Sequence, residues 1–125
     1  MPVLANLVRH GDATEQKAAF RALGNLRNPE ADTVFADQLR ALLAGQVPAA
    51  VQLELINAAG RRAEPKIKAL VAEHEKSVSS STDPLASFRV ALEGGDKERG
   101  RRIFESQATL PCIRCHRFTP PCKSL

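Results

Sequence analysis

Helix-start and helix-stop residues recur through the first 80 residues of this chain at intervals that leave room only for a succession of short helices. Asp12 and Glu15 form a D-x-x-E capping box ahead of a segment whose apolar positions are Ala19, Phe20, Leu23 and Leu26. Asn28-Pro29 pairs an N-cap with a proline at the first helical position. It opens a helix that turns Ala31, Val34, Phe35, Leu39 and Leu42 inward until Gly45 stops it. Pro48 starts a third helix, with Val51, Leu55, Ile56 and Ala59 on its buried face and Gly60 at its end. Pro65 opens a fourth, carrying Ile67, Leu70, Val71 and His74. Ahead of them all, Val3, Leu4, Leu7 and Val8 make a stripe that ends at Gly11. Loops this short place successive helices as antiparallel neighbours. The segment from Asp12 to Lys76 therefore reads as four helices in two antiparallel pairs, with Leu23, Phe35, Leu39, Leu55, Ile67 and Leu70 buried. With no Trp, no Tyr and only five Phe, Ala and Leu must do most of the packing, which favours helix over strand.

The helices ending in Ala22-Leu23-Gly24 and Ala58-Ala59-Gly60 stand 36 residues apart, one helix pair. Helix pairs at that period resemble HEAT-type repeats, about two pairs over residues 1–78, and further repeats before Met1 in a longer parent protein fit the same resemblance. A plain helical bundle is the other architecture this pattern allows. Ser77-Val78-Ser79-Ser80-Ser81-Thr82 then breaks the period and reads as a flexible connection and domain boundary. Asp83-Pro84 restarts a helix with Leu85, Phe88, Ala91 and Leu92 on one face before Gly94-Gly95 turns the chain. Residues 79–93 are thus assigned as linker and connecting helix.

The chemistry lies further on, in Cys112-Ile113-Arg114-Cys115-His116. C-x-x-C-H is the attachment signature of a covalently bound c-type haem. On one turn of helix, thiols at i and i+3 share a face and can add to the two vinyl groups of one porphyrin. His116, next along, offers its ring nitrogen to the iron as proximal ligand. Just upstream, Asp96 caps a short helix with Glu98 in its first turn and Gly100 and Phe104 four residues apart. Residues 94 to 117 together resemble the opening of a bacterial class I cytochrome c domain, where such a Gly-x-x-x-aromatic pair lies on the first helix. The resemblance implies that the glycine admits a crossing helix and that the aromatic packs beside the haem. It assigns Cys112, Cys115 and His116 as haem-binding residues, His116 as the iron ligand, and haem c as the cofactor. Only nine residues follow His116 and the only methionine is Met1, so residues 94–125 read as a truncated cytochrome c domain without the usual methionine as sixth ligand.

The fold class expected is all-α: HEAT-like antiparallel helix pairs followed by the truncated N-terminal part of a cytochrome c domain. HEAT repeats leading into such a segment resemble the ends of large bacterial proteins whose earlier part is a dehydrogenase-like β-propeller. The function implied is electron transfer through haem, with a redox partner protein or a dehydrogenase domain as partner. No substrate pocket or catalytic acid–base pair is evident, so the chain by itself is not assigned as an enzyme. A second function is a HEAT-type scaffold for protein binding without haem.

Charge sharpens the partner. Residues 1–96 hold 11 Lys+Arg against 12 Asp+Glu, whereas residues 97–125 hold 7 against 2. The positive excess surrounds C-x-x-C-H, as an acidic redox partner would require and as haem propionates would tolerate. A plain solvated basic surface gives the same count. Nucleic acid fits poorly, because no aromatics interleave the basic residues. Zinc would need adjacent Cys115 and His116 on one tetrahedral centre, and a thioredoxin-like pair would need strands around it. His10 and His74 stand alone on helical segments. No stretch approaches the length of a membrane span, and residues Met1 to Asn6 lack the basic start and apolar core of an export signal. The haem motif nevertheless implies a periplasmic location, because haem is attached to C-x-x-C-H outside the cytoplasmic membrane.

Overall fold

Caps set the helix boundaries. The computed structural model describes residues 1–106, 109 and 112–116, and every regular element among them is helical. These are α1 (Pro2–His10), α2 (Ala13–Asn25), α3 (Pro29–Leu43), α4 (Ala49–Gly60), α5 (Pro65–Ser79), α6 (Ala86–Gly94), α7 (Lys97–Ser106) and α8 (Cys112–Cys115). The Asp12 carboxylate accepts from the Thr14 and Glu15 amides at 2.8 and 2.9 Å, and Glu15 accepts from the Asp12 amide, completing the box. Asn28 accepts from the Glu30 amide at 2.8 Å, with Pro29 as the first residue of α3. Each such cap contributes about 1 kcal/mol. Two compact units follow one another along the chain, Met1–Gly95 and Asp96–Leu125.

In the first unit α2, α4 and α6 pack side by side as one row, and α3 packs on α5 in a second. Helix α4 also touches both α3 and α5, while α1 lies against α2. The core joins the rows through Phe20, Leu23, Phe35, Leu39, Val51, Leu55 and Ile67, each essentially removed from solvent. Burying a side chain of this size stabilises the fold by roughly 1.5–3 kcal/mol. Phe20 and Phe35 add a tilted ring contact with centroids 6.1 Å apart.

Two glycines let the α2–α4–α6 row close up. A Cβ on Gly24 would stand 3.2 Å from the Cβ of Ala58, and one on Gly94 would stand 2.9 Å from the Cβ of Leu53. Small residues at these crossings bring the backbones together. Arg62 then binds the rows to one another. Only 8% exposed, it donates to the Asp32 carboxylate at 2.7 Å and to the backbone carbonyls of Leu23, Leu26 and Asn28, and it lies 5.7 Å from the Phe35 ring centroid. One guanidinium thus satisfies orphan carbonyls at the end of α2 and a carboxylate near the start of α3. No apolar period pointed to it.

Several expectations need correction. Leu26 is 41% exposed, because α2 ends at Asn25 and Leu26 continues in extended backbone with its carbonyl turned to Arg62. Val3 is solvent-facing, and Leu4, Leu7, Ile56, Leu70 and Val71 are only partly buried, at the margins of the core. The Ser-rich run is not a flexible break at its start: α5 continues through Ser79, and the hydroxyls of Ser77, Ser79 and Ser80 donate to the carbonyls three residues earlier. Asp83 accepts from the Leu85 amide at 2.9 Å and pairs with Arg89, so residues 83–85 form a turn and α6 begins at Ala86 rather than Pro84. Helix α6 belongs to the first unit, and the face it turns to α4 is not the one expected. Leu85, Phe88 and Leu92 are 57%, 68% and 78% exposed, and Ala91 is also exposed. The small face bearing Gly94 packs instead, because only there can the two backbones approach.

Candidate functional site

The second unit opens with the Asp96 carboxylate accepting from the Arg99 amide at 2.9 Å, the N-cap of α7. That bond holds the Asp96 carboxyl below the usual aspartate value of 3.8, with the charges of Arg102 and Arg99 adding to the effect. Along α7, Arg101 donates to Glu105 at 2.9 Å, and this bond raises the Arg101 guanidinium above its ordinary value. Neither group is buried, so both effects are local. Helix α7 has no buried residue: Ile103 is 41% exposed and Phe104 half-buried.

Gly100 departs from the expectation of a tight crossing, since no described atom lies within 4 Å of where its Cβ would stand. The space beside it is an open depression of about 420 Å³ lined by Lys97, Glu98, Gly100, Arg101 and Phe104. The glycine and the aromatic of the sequence motif therefore border one concavity on the same helix.

The three expected site residues fall together on one turn. Helix α8 spans Cys112–Cys115, and the His116 amide donates to the Cys112 carbonyl at 2.9 Å, carrying the turn on to the histidine. Thiols at i and i+3 of such a turn share a face. Both are free, Cys112 half-buried and Cys115 exposed, and His116 is exposed. Helix α8 packs against α7 within this unit. Two unpaired thiols and an imidazole on one accessible turn are a donor set suited to haem attachment, with soft sulfur for carbon and ring nitrogen for iron. Among the described residues no three His, Cys, Asp or Glu side chains are grouped as ligands for a metal ion. Cys122 and the residues from Arg117 to Leu125 lie outside the described residues.

A second concavity, to which no sequence pattern pointed, lies among α4, α5 and α6. It measures about 750 Å³ and is walled by Leu53, Ile56, Val78 and Val90, with His74 and the Asp83–Arg89 pair also lining it. It exists because α6 packs on both α4 and α5.

Comparison with protein-family models, with curated proteins and with solved structures finds no match to this chain. No described helix is long and apolar enough to cross a membrane.

Proposed function

We propose that the second unit is the haem-attachment segment of an electron-transfer protein, with Cys112 and Cys115 as the thioether-forming residues and His116 as proximal iron ligand. The observation that carries this reading is the placement of Cys112, Cys115 and His116 on one accessible helical turn with both thiols free. A bound haem supplies reversible one-electron exchange at iron. The chain's part is attachment and orientation. Cys112 and Cys115 would hold the ring by two thioether bonds, each formed when a thiol adds across one vinyl group with its proton going to the neighbouring carbon. His116, one residue beyond the second thiol, would supply a ring nitrogen as proximal ligand to the iron. Arg99 and Arg102 on α7 and Arg114 on α8 are exposed, and they give this unit the sign that attracts an acidic redox protein and raises its rate of encounter.

In this reading the first unit is a HEAT-type scaffold. The start of α2 to the start of α4 is 36 residues, and the same spacing separates α3 from α5. The rows α2–α4–α6 and α3–α5 are the stacking that a two-helix repeat produces. The dehydrogenase-like parent and the periplasmic location belong to the same proposal, and a donor domain would deliver electrons to the haem. A scaffold that binds protein and carries no haem is the second reading, favoured by the apolar face that α6 leaves exposed.

Export of the chain with the haem-attachment machinery, followed by haem staining of a denaturing gel and mass spectrometry, separates the two. A product heavier by one haem supports attachment. Replacement Cys115→Ser should leave a single thioether, and a product without added haem mass would remove the electron-transfer reading.

A further inference from the structure

Helix α6 continues a seam that is closed everywhere before it. Helices α4 and α6 begin 37 residues apart, at Ala49 and Ala86, so Phe88 and Leu92 repeat the positions of Val51 and Leu55. Those two are 1% and 0% exposed, sealed between the rows, whereas Phe88 and Leu92 are 68% and 78% exposed. Leu85, at the i−3 position to Phe88, completes the same stripe. Stacked helical repeats keep their ends soluble with a polar outer face. Here the last helix of the first unit presents three large apolar side chains instead.

We propose that this face is covered by the same face of a second copy of the chain, two α6 helices packing antiparallel across a two-fold axis. The pattern of charge on α6 specifies that partner. Arg89 and Glu93 each follow a stripe residue and lie four apart on one flank. A two-fold axis perpendicular to the helices brings this flank against itself with direction reversed. Arg89 then faces Glu93 of the second copy, and Glu93 its Arg89. Phe88 meets Leu92 of the second copy in a register offset from the charge register by two residues' rise, roughly 3 Å. Arg89 is available for this, because its bond to Asp83 leaves the side chain 60% exposed, and Glu93 is exposed. A head-to-tail arrangement lacks a matching surface: on α1 only Val3 is a well-exposed large apolar residue. The isologous contact also closes after two copies, where a head-to-tail one would run on.

The test is the mass of the full chain in solution, measured by sedimentation and light scattering in reductant, so that its thiols cannot link copies. A concentration-dependent rise to twice 13.6 kDa is expected. Leu92→Glu should shift dimerisation to at least tenfold higher concentration while leaving the helical circular dichroism unchanged, since Leu92 supports no core. Glu93→Arg should weaken the dimer several-fold, and the pair Arg89→Glu with Glu93→Arg should recover it. A wild-type chain that stays monomeric at several hundred micromolar overturns the proposal, as does a dimer indifferent to Leu92→Glu. A monomer in which Leu92→Cys is slow to react with a thiol reagent overturns it too, showing the face covered from within one chain. If the double exchange fails to recover what Glu93→Arg loses, the antiparallel register is wrong.

Discussion

The two units of this chain are both helical, yet they are held in different ways. In Met1–Gly95, Phe20, Phe35, Leu39 and Leu55 vanish from solvent and Arg62 ties three backbone carbonyls to Asp32. In the described part of Asp96–Leu125, α7 buries nothing and rests on a cap and an i,i+4 ion pair. A helix of ten residues is marginal on local bonds alone. The first unit can therefore fold on its own core, whereas the described helices of the second bury little and lean on local bonds and on the contact between α7 and α8.

Mutations in the two units should differ most where the core is deepest. Leu55→Ala is expected to destabilise the first unit by about 2–5 kcal/mol, and Ile103→Ala on α7 by close to nothing, in urea unfolding followed by circular dichroism. Equal effects would erase the contrast. Arg62→Met should cost roughly 3 kcal/mol in the same assay, because it strands the Asp32 carboxylate and the carbonyls at the end of α2. A neutral result would mean that water replaces the guanidinium without loss.

The glycines sharpen the comparison through one substitution made twice. Gly94→Ala forces a Cβ to within 2.9 Å of Leu53 and should destabilise the first unit by about 1–3 kcal/mol. Gly100→Ala meets no described atom within 4 Å and should instead raise the helicity of the haem-free second unit, by about 1 kcal/mol of helix propensity. Two changes of the same sign would contradict the packing described for one of the units.

The smallest expected effect is of pH. Because the Arg99 amide lowers the Asp96 carboxyl below 3.8 in the folded chain, the cap is fully present above that value and is lost as pH falls through the lowered one. The Arg99 amide resonance should shift in that acid window, and a titration midpoint at or above 3.8 would contradict the cap.

Much of the first unit was legible because its signals are local. Asp12, Asn28, Pro29 and Pro65 lie at helix starts as read, and Leu23, Phe35, Leu39, Leu55 and Ile67 are buried. Leu70 is only half-buried, at the margin of the core. Arg62 was missed because a buried charge is chosen by three-dimensional neighbours rather than by period. The orientation of α6 was missed for a related reason: it carries two apolar faces, and the decision between them rests on backbone approach at Gly94, which hydrophobicity does not encode. At the candidate site, the turn that groups Cys112, Cys115 and His116 follows from spacing alone. The open space at Gly100 does not, because a glycine in sequence marks a close neighbour and a vacancy alike.

Helix α6 buries no residue, and the chain leaves the first unit through it. Tension on the second unit, from a docked partner or a tethered domain, would therefore reach α6 before any residue of the Phe20–Phe35 core. Peeling α6 off α4 and α5 breaks the close contact of Gly94 with Leu53 and leaves the packing of α2 on α4 and of α3 on α5 intact. About nine residues of helix would convert from roughly 1.5 Å to 3.3 Å or more of length each, paying out slack of the order of 15–20 Å. Under such a load α6 would act as a mechanical fuse at the point where the cysteine-bearing segment is joined.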